Sequence, residues 1–332
     1  MGWFGERTGV SAASVRERMA RRLAPSSAVP VVTGTALVVL VLTQAVSGSL
    51  LAMYYKPAWD RAHASVESIL AAIPLGWLVR SVHLWGAHLI LVLSLAHLLR
   101  TFWRGEYRAP GDLRWIVKVL LLAIAAGLAI TGQVLPLDAE GHGGALVAGS
   151  MSRAVGAGRL VQGGDEPGDF MLGRFFAAHV LWLPAAGLAL LAGHLALVAR
   201  RAPAEVQAGP TTLECVGLSG LATLAVLALL AVFAPAGLGP AANPLEFKDE
   251  KPLWFFLPAY QSLKFLPPLA VVAGGAVFFA GALALPFVAK RWIRVAGAVA
   301  LSVALLLGTA GALSNRTIAG MHFNNHGLPA SR

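Results

Sequence analysis

Residues 78–102 read LVRSVHLWGAHLILVLSLAHLLRTF. The run is almost wholly apolar, and about 20 such residues in a helix cross the hydrocarbon of a bilayer. Three histidines interrupt it: His83, His88 and His97. An ionisable side chain at membrane depth is costly and marks a functional site by default. A helix turns ~100° and rises ~1.5 Å per residue, so His83 and His97 share a face and stand about 21 Å apart along the axis. His88 points roughly 140° away from His83.

A second run, FFAAHVLWLPAAGLALLAGHLALVAR at 175–200, carries His179 and His194. They are separated by about 22 Å of rise and about 60° of turn. Side by side, the two helices offer two His–His pairs at two depths. Neutral imidazole on each side of a planar macrocycle holds haem iron, and the axial ligands help set its potential. A lone intramembrane histidine is more simply a hydrogen-bonding group. Four of them in two pairs of matched separation point to haem instead. Zinc or copper wants clustered ligands, not pairs ~20 Å apart.

The composition agrees with a membrane setting. Of 332 residues, 57% are hydrophobic and only 13% are charged, which specifies an all-α polytopic membrane protein. The net charge of +10 is then a property of loops and not of a nucleic-acid surface. A single cysteine, Cys215, excludes a disulfide framework and a CxxCH attachment site. Haem here is therefore expected to be non-covalent and b-type, with Cys215 as a small packing residue.

Seven spans are expected: about 31–53, the Leu78 run, 115–135, the Phe175 run, 216–235, 269–289 and 293–313. The arginine-rich segment 1–29 lacks a signal-peptide pattern and suits a short helix on the membrane surface. Gly34 and Gly48 repeat the fourteen-residue spacing of the histidines, and Gly132 lies in the third span. Such glycines allow close approach to the backbone, by another helix or by a cofactor. The loop 136–173 is too polar to span. Pro184 should kink the fourth span by removing a backbone hydrogen bond. His322 and His326 are four apart, as metal ligands on a helix can be, but the glycine, asparagine and proline around them favour a solvated tail. The expected organisation is a cytoplasmic segment 1–29, a four-helix domain 30–204, a three-helix domain 205–313 and an extracytoplasmic tail 314–332.

Seven spans put alternate loops on opposite sides. The N-terminus and the loops after spans two, four and six hold fifteen Lys/Arg against six acids, and the other side eleven against ten. The positive-inside rule puts the N-terminus in the cytoplasm and the C-terminus outside. Spans two and four then run in parallel. His83 meets His179 near the outer face, and His97 meets His194 near the inner one.

These residues, with the runs AMYYKP, WLVRSVHLWGAH, HLLRTFWRGEYRAP and TGQVLPLD, resemble cytochrome b of the quinol–cytochrome c reductases, the bc complexes. The resemblance is strong over about 30–200. From 205 to 313 it is looser and is similar to the three-helix subunit that is separate in the photosynthetic complexes. It implies a four-helix bundle holding two b haems, with His83 and His179 on the outer iron and His97 and His194 on the inner. Gly34, Gly48 and Gly132 would face the haems, and Arg80 and Arg100 would lie near their propionates, where guanidinium suits carboxylate. Quinol would be oxidised near the outer face, with electrons passing to a Rieske iron–sulfur protein, a c-type cytochrome and the two haems, and with coupled proton translocation. The resemblance also implies a homodimer within a complex in the lipid of a bacterial inner membrane.

Three departures stand out. The family's Pro-Glu-Trp-Tyr quinol motif aligns with Pro252, Leu253, Trp254 and Phe255. A carboxylate there can accept a proton and leucine cannot, so Glu246, Asp249 or Glu250 takes that role or outer-site chemistry is altered. Lys118 stands where the family has a haem-facing glycine fourteen before Gly132. The first span also lacks the cysteine that holds an extra covalent haem in the photosynthetic proteins. Two alternatives follow: a di-haem, quinone-linked anchor for a non-Rieske periplasmic oxidoreductase, or a haem-free transporter or scaffold.

Overall fold

The apolar runs become helices because a chain in lipid must satisfy its backbone polar groups internally. The computed structural model describes residues 12–200, 208–242, 251–288, 293–318, 321–322 and 324–328. Among the described residues, seven helices are long and apolar enough to cross a membrane. They are α2 (Pro25–Ala52), α4 (Gly76–Trp103), α5 (Asp112–Val134), α8 (Asp169–Ala199), α9 (Thr212–Phe233), α11 (Pro268–Phe287) and α12, whose apolar part is Val295–Leu313. A shorter helix, α1 (Ala12–Ala20), precedes them, and others lie between them: α3 (Ala62–Ala71), α6 (Ala139–Ala154), α7 (Gly158–Gln162) and α10 (Leu257–Ser262). The polar stretch after α5 thus carries α6 and α7, and the next span, α8, starts at Asp169, inside the loop expected to run to 173.

Helix α2 begins at Pro25, six residues before the expected start. Proline is favoured at the first helical position, where no N–H is needed. Pro30 lies inside the helix and leaves the Ser26 carbonyl without its usual donor. The Arg100 guanidinium supplies one, Nη2–H donating to that oxygen at 3.0 Å. Helix α9 starts at a capping box formed by Thr211 and Glu214. Where a kink is expected at Pro184, the helix carries a π-helical turn over Ala178–Trp182, which ends two residues before the proline. His179 sits in that turn.

Helix α4 packs against α2, α5 and α9, while α8 packs on α5 and α11 on α5 and α6. Phe102, Tyr107, Trp115 and Val119 form one buried cluster, closed by Phe279, Ala282 and Leu283 of α11. Ala62, Val134, Leu137, Ala145, Met171 and Leu172 form another at the opposite end. Here the Tyr55 hydroxyl donates to the Leu135 carbonyl at 2.7 Å, and burial pushes its pKa up. Many outward side chains are apolar and exposed, Leu221 at 69% and Phe233 at 81% among them, as suits lipid contact. Cys215 is buried, in agreement with a packing role.

After α9 the chain crosses the His83 end of the bundle. Asp138 caps α6 through Gly141 N–H and also accepts from Gly239 N–H at 3.1 Å. Arg80 donates to the carbonyls of Ala236 and Gly237 at 2.8 and 2.6 Å. The tail is not simply solvated. A two-strand hairpin, Thr317–Ile318 with Met321–His322, precedes His326, whose ring packs 4.8 Å from Phe265 and whose carbonyl accepts from Gln261. Apolar contact and a buried amide hold this segment, outweighing its polar composition.

Candidate functional site

The structure brings His83 and His179 together. Their ring centroids are 6.1 Å apart, with an angle of 69° between the planes. An imidazole nitrogen sits about 2 Å from a bound metal, so two rings gripping one iron from opposite sides need centroids about 6 Å apart. The pair has that spacing. At the other end of α4, His97 is buried, and Lys118, His194 and Arg100 are close enough to act on it electrostatically.

Three of the four rings are held from behind by a hydroxyl. Ser47 Oγ lies 3.0 Å from His83 Nδ1, Thr131 Oγ1 lies 3.1 Å from His179 Nδ1, and Thr33 Oγ1 lies 3.1 Å from His97 Nδ1. Each hydroxyl already donates its proton one turn back along its own helix, to Thr43, Gly127 and Val29 respectively. It can therefore only accept from the imidazole. This makes Nδ1 the protonated nitrogen and leaves the Nε2 lone pair free for a metal, which is how an outer hydrogen bond fixes tautomer and orientation at a ligated histidine. Gln44 adds a bond from its side-chain amide to the His83 carbonyl at 2.8 Å.

Glycines follow each of these hydroxyl residues. A Cβ on Gly48 would lie 3.0 Å from His83 Cε1, and one on Gly132 would lie 2.6 Å from His179 Cε1. These two glycines make room for the imidazoles themselves. A Cβ on Gly34 would meet no described atom beyond its own stretch of helix within 4 Å. The pairs Thr33–Gly34, Ser47–Gly48 and Thr131–Gly132 thus repeat a hydroxyl–glycine signature that sequence reading passed over. Its fourth position is Val117–Lys118. There the hydroxyl is replaced by valine, and His194 Nδ1 is buried without a hydrogen-bond partner among the described residues. Lys118 donates to Thr101 Oγ1 at 2.8 Å, and Thr101 in turn donates to the His97 carbonyl at 2.9 Å.

Arg100 forms an ion pair with Glu106 at 3.2 Å besides its bond to Ser26. Arg80 is engaged by backbone carbonyls, as described above. Pro252 leads into a 3₁₀ turn, Trp254–Phe256. Trp254 Nε1–H donates to His88 Nδ1 at 2.8 Å, so the third histidine of α4 faces this segment and not the paired rings. Glu246, Asp249 and Glu250 lie outside the described residues, as does the His322 side chain.

A family model described as cytochrome b/b6/petB matches residues 23–202, more than half of the chain. The chain belongs to the cytochrome b family. The match spans the stretch that carries both histidine pairs, and family membership implies haem b. The chain is 32% identical over 240 residues to the cytochrome bc complex cytochrome b subunit of Chlorobaculum thiosulfatiphilum, covering 67% of this cytochrome b and 56% of that relative. It is 34% identical over 207 residues to cytochrome b6 of Heliobacterium mobile, covering 60% of this chain and 96% of that one. To the menaquinol:cytochrome c reductase cytochrome b subunit of Geobacillus thermodenitrificans it is 38% identical over 164 residues, covering 48% and 73%. Among solved structures it is similar to a hyperthermophilic respiratory Complex III chain, with a TM-score of 0.76 and 25% identity over 95% of this chain and 91% of that one. The His83–His179 pair fits the implied group: facing imidazoles, each with a hydroxyl behind Nδ1, and glycines where the ring edges need space. The haem-free alternative falls with family membership.

Proposed function

We propose that this cytochrome b is the di-haem electron-transfer subunit of a membrane quinol–cytochrome c reductase. One observation carries the reading: the facing of His83 and His179 with both Nδ1 atoms committed to hydroxyls, in helices that carry a second pair of histidines, His97 and His194, fourteen and fifteen residues further on. His83 and His179 would hold the outer b haem, and His97 and His194 the inner. Bound haem supplies one-electron transfer across the thickness of the membrane. The chain's own part is to fix ligand tautomers, exclude water and position quinol. Pro252, Trp254 and Phe255 would line the outer quinol site, and Arg80 and Arg100 would sit near the propionates. The N-terminus would be cytoplasmic and the C-terminus extracytoplasmic, in a bacterial inner membrane. A Rieske protein and a c-type cytochrome would accept the electrons, with proton translocation coupled to quinol oxidation, in a dimeric complex.

Purification from membranes with a pyridine-haemochrome assay tests this reading. Two b haems per chain are expected, with quinol-dependent reduction of cytochrome c in the copurified complex. One haem per chain would overturn the di-haem assignment. Leu253 in place of glutamate favours a second reading, a quinone-linked anchor for a non-Rieske periplasmic oxidoreductase. Copurification with a multihaem or molybdenum enzyme, and with no Rieske protein, would select it.

Lys118 gives a further prediction. A fixed ammonium stabilises the reduced, less positive state of a neighbouring redox centre. Lys118→Gly should therefore lower the midpoint of the inner haem, by about 59 mV if the reduction equilibrium shifts tenfold in this one-electron couple. The outer midpoint should hold. Redox titration of the purified variant reads both, and an unmoved inner midpoint would place the lysine charge too far away to matter.

A further inference from the structure

The third histidine of α4 has no place in the paired-ring scheme. His88 points away from His83 and is met by the quinol-motif segment returning from far along the chain. Its only hydrogen bond among the described residues comes from Trp254, whose Nε1–H donates to Nδ1 at 2.8 Å. A neutral ring that accepts at Nδ1 carries its proton on Nε2. That N–H makes no hydrogen bond to a described residue, so a donor at membrane depth is left available. Such a group is expensive to keep in lipid unless it has a function.

The walls around the ring are aromatic. Trp254 lies 6.4 Å away and nearly parallel, at 22°, Phe255 5.8 Å away edge-on, and Trp85 5.4 Å away. Trp85 is pinned by its own N–H to the Ala234 carbonyl at 2.7 Å. Trp254 is itself 48% exposed, so the cluster is open to an incoming molecule. Flat aromatic walls with one oriented donor suit a planar ring that carries oxygen at its edge. Leu253, beside Trp254, offers no polar group for that task.

We infer that His88 is the hydrogen-bond donor of the quinol site, its Nε2–H binding a ring oxygen of a benzoquinol or naphthoquinol headgroup beside Trp254 and Phe255. This deepens the functional reading above and rests on it. Trp254 acts through His88: by donating to Nδ1 it holds the proton on Nε2 and fixes the ring plane. It is a positioning residue.

The test uses the intact complex with a short-chain naphthoquinol and a short-chain benzoquinol as separate substrates, and compares His88→Leu with His88→Gln. A neutral hydrogen bond is worth about a factor of ten. His88→Leu should raise KM about tenfold for at least one quinol, with both b-haem spectra and midpoints unchanged. His88→Gln, which keeps an N–H near the same place, should recover most of that loss. Trp254→Phe should give an intermediate rise of a few-fold. The quinol with the larger KM change identifies the headgroup class. Equal kinetics for His88→Leu and the parent, or equal loss in Leu and Gln variants, would show that His88 only packs and would overturn the inference. Absence of quinol oxidation in the parent complex would instead strike the functional reading on which it rests.

Discussion

His97→Ala or His194→Ala should remove one of two b haems and leave the other, halving the haem per chain. The histidine pairs stand about 21 Å apart along the helices, at fourteen- and fifteen-residue spacing, so a cavity made at one end does not reach the other. Each ring is one of only two proposed grips on its iron, and alanine offers none. The two variants should differ in detail. His97 is buried and its Nδ1 is held by Thr33, whereas His194 Nδ1 has no partner among the described residues. Free imidazole added to the purified protein should restore the lost signal more readily in His194→Ala, because the surviving His97 is the better anchored of the two ligands. The reciprocal variants His83→Ala and His179→Ala should remove the other haem. Reduced-minus-oxidised spectra read the outcome directly. Two intact b signals in any of the four variants would refute the ligand assignment for that residue.

The paired histidines were legible because their relation is local. Spacing along a helix converts to face and depth by fixed geometry, and apolar neighbours guarantee the helix. Two kinds of feature were not legible. The first depends on contacts between segments far apart in the chain. His88 could be seen to point away from the pairs, yet nothing in residues 78–102 says that Trp254, 166 positions on, would meet it. Helix α2 starts at Pro25 and not near residue 31, and Arg100, 70 positions beyond Pro30, supplies the donor that the Ser26 carbonyl lacks. The second kind was present in the sequence but too quiet. Thr33, Ser47 and Thr131 are hydroxyl residues that bond back along their own helices, a habit common to many such residues at membrane depth. Only their shared position before a glycine, and the break at Val117–Lys118, sets them apart.

The glycines then separate two physical demands that look alike in sequence. Gly132→Ala should cost the outer haem, because the added methyl would sit 2.6 Å from His179 Cε1 and 3.2 Å from Nδ1. Neither the ring nor the backbone around it has an easy escape. Thr131 Oγ1 holds Nδ1, and His179 lies in the π-helical turn ahead of Pro184. Overpacking of this kind costs about 1–3 kcal/mol, and the strain falls on a ring whose angle toward iron must be kept. Haem recovery at the His83–His179 end should fall several-fold, and the midpoint of whatever remains should move. Gly48→Ala should do the same more mildly, since its methyl would meet His83 Cε1 at 3.0 Å. Gly34 is the control that distinguishes ring clearance from cofactor clearance. An alanine there meets no described atom beyond its own stretch of helix within 4 Å, so the apoprotein should fold and melt as the parent does, and any loss of inner haem in Gly34→Ala would have to come from the cofactor itself. Haem content and thermal stability, measured together on the three alanine variants, decide the matter: full haem and an unchanged midpoint in Gly132→Ala would mean that His179 has room to move, and that the close fit of glycine to imidazole is not what sets the outer ligand.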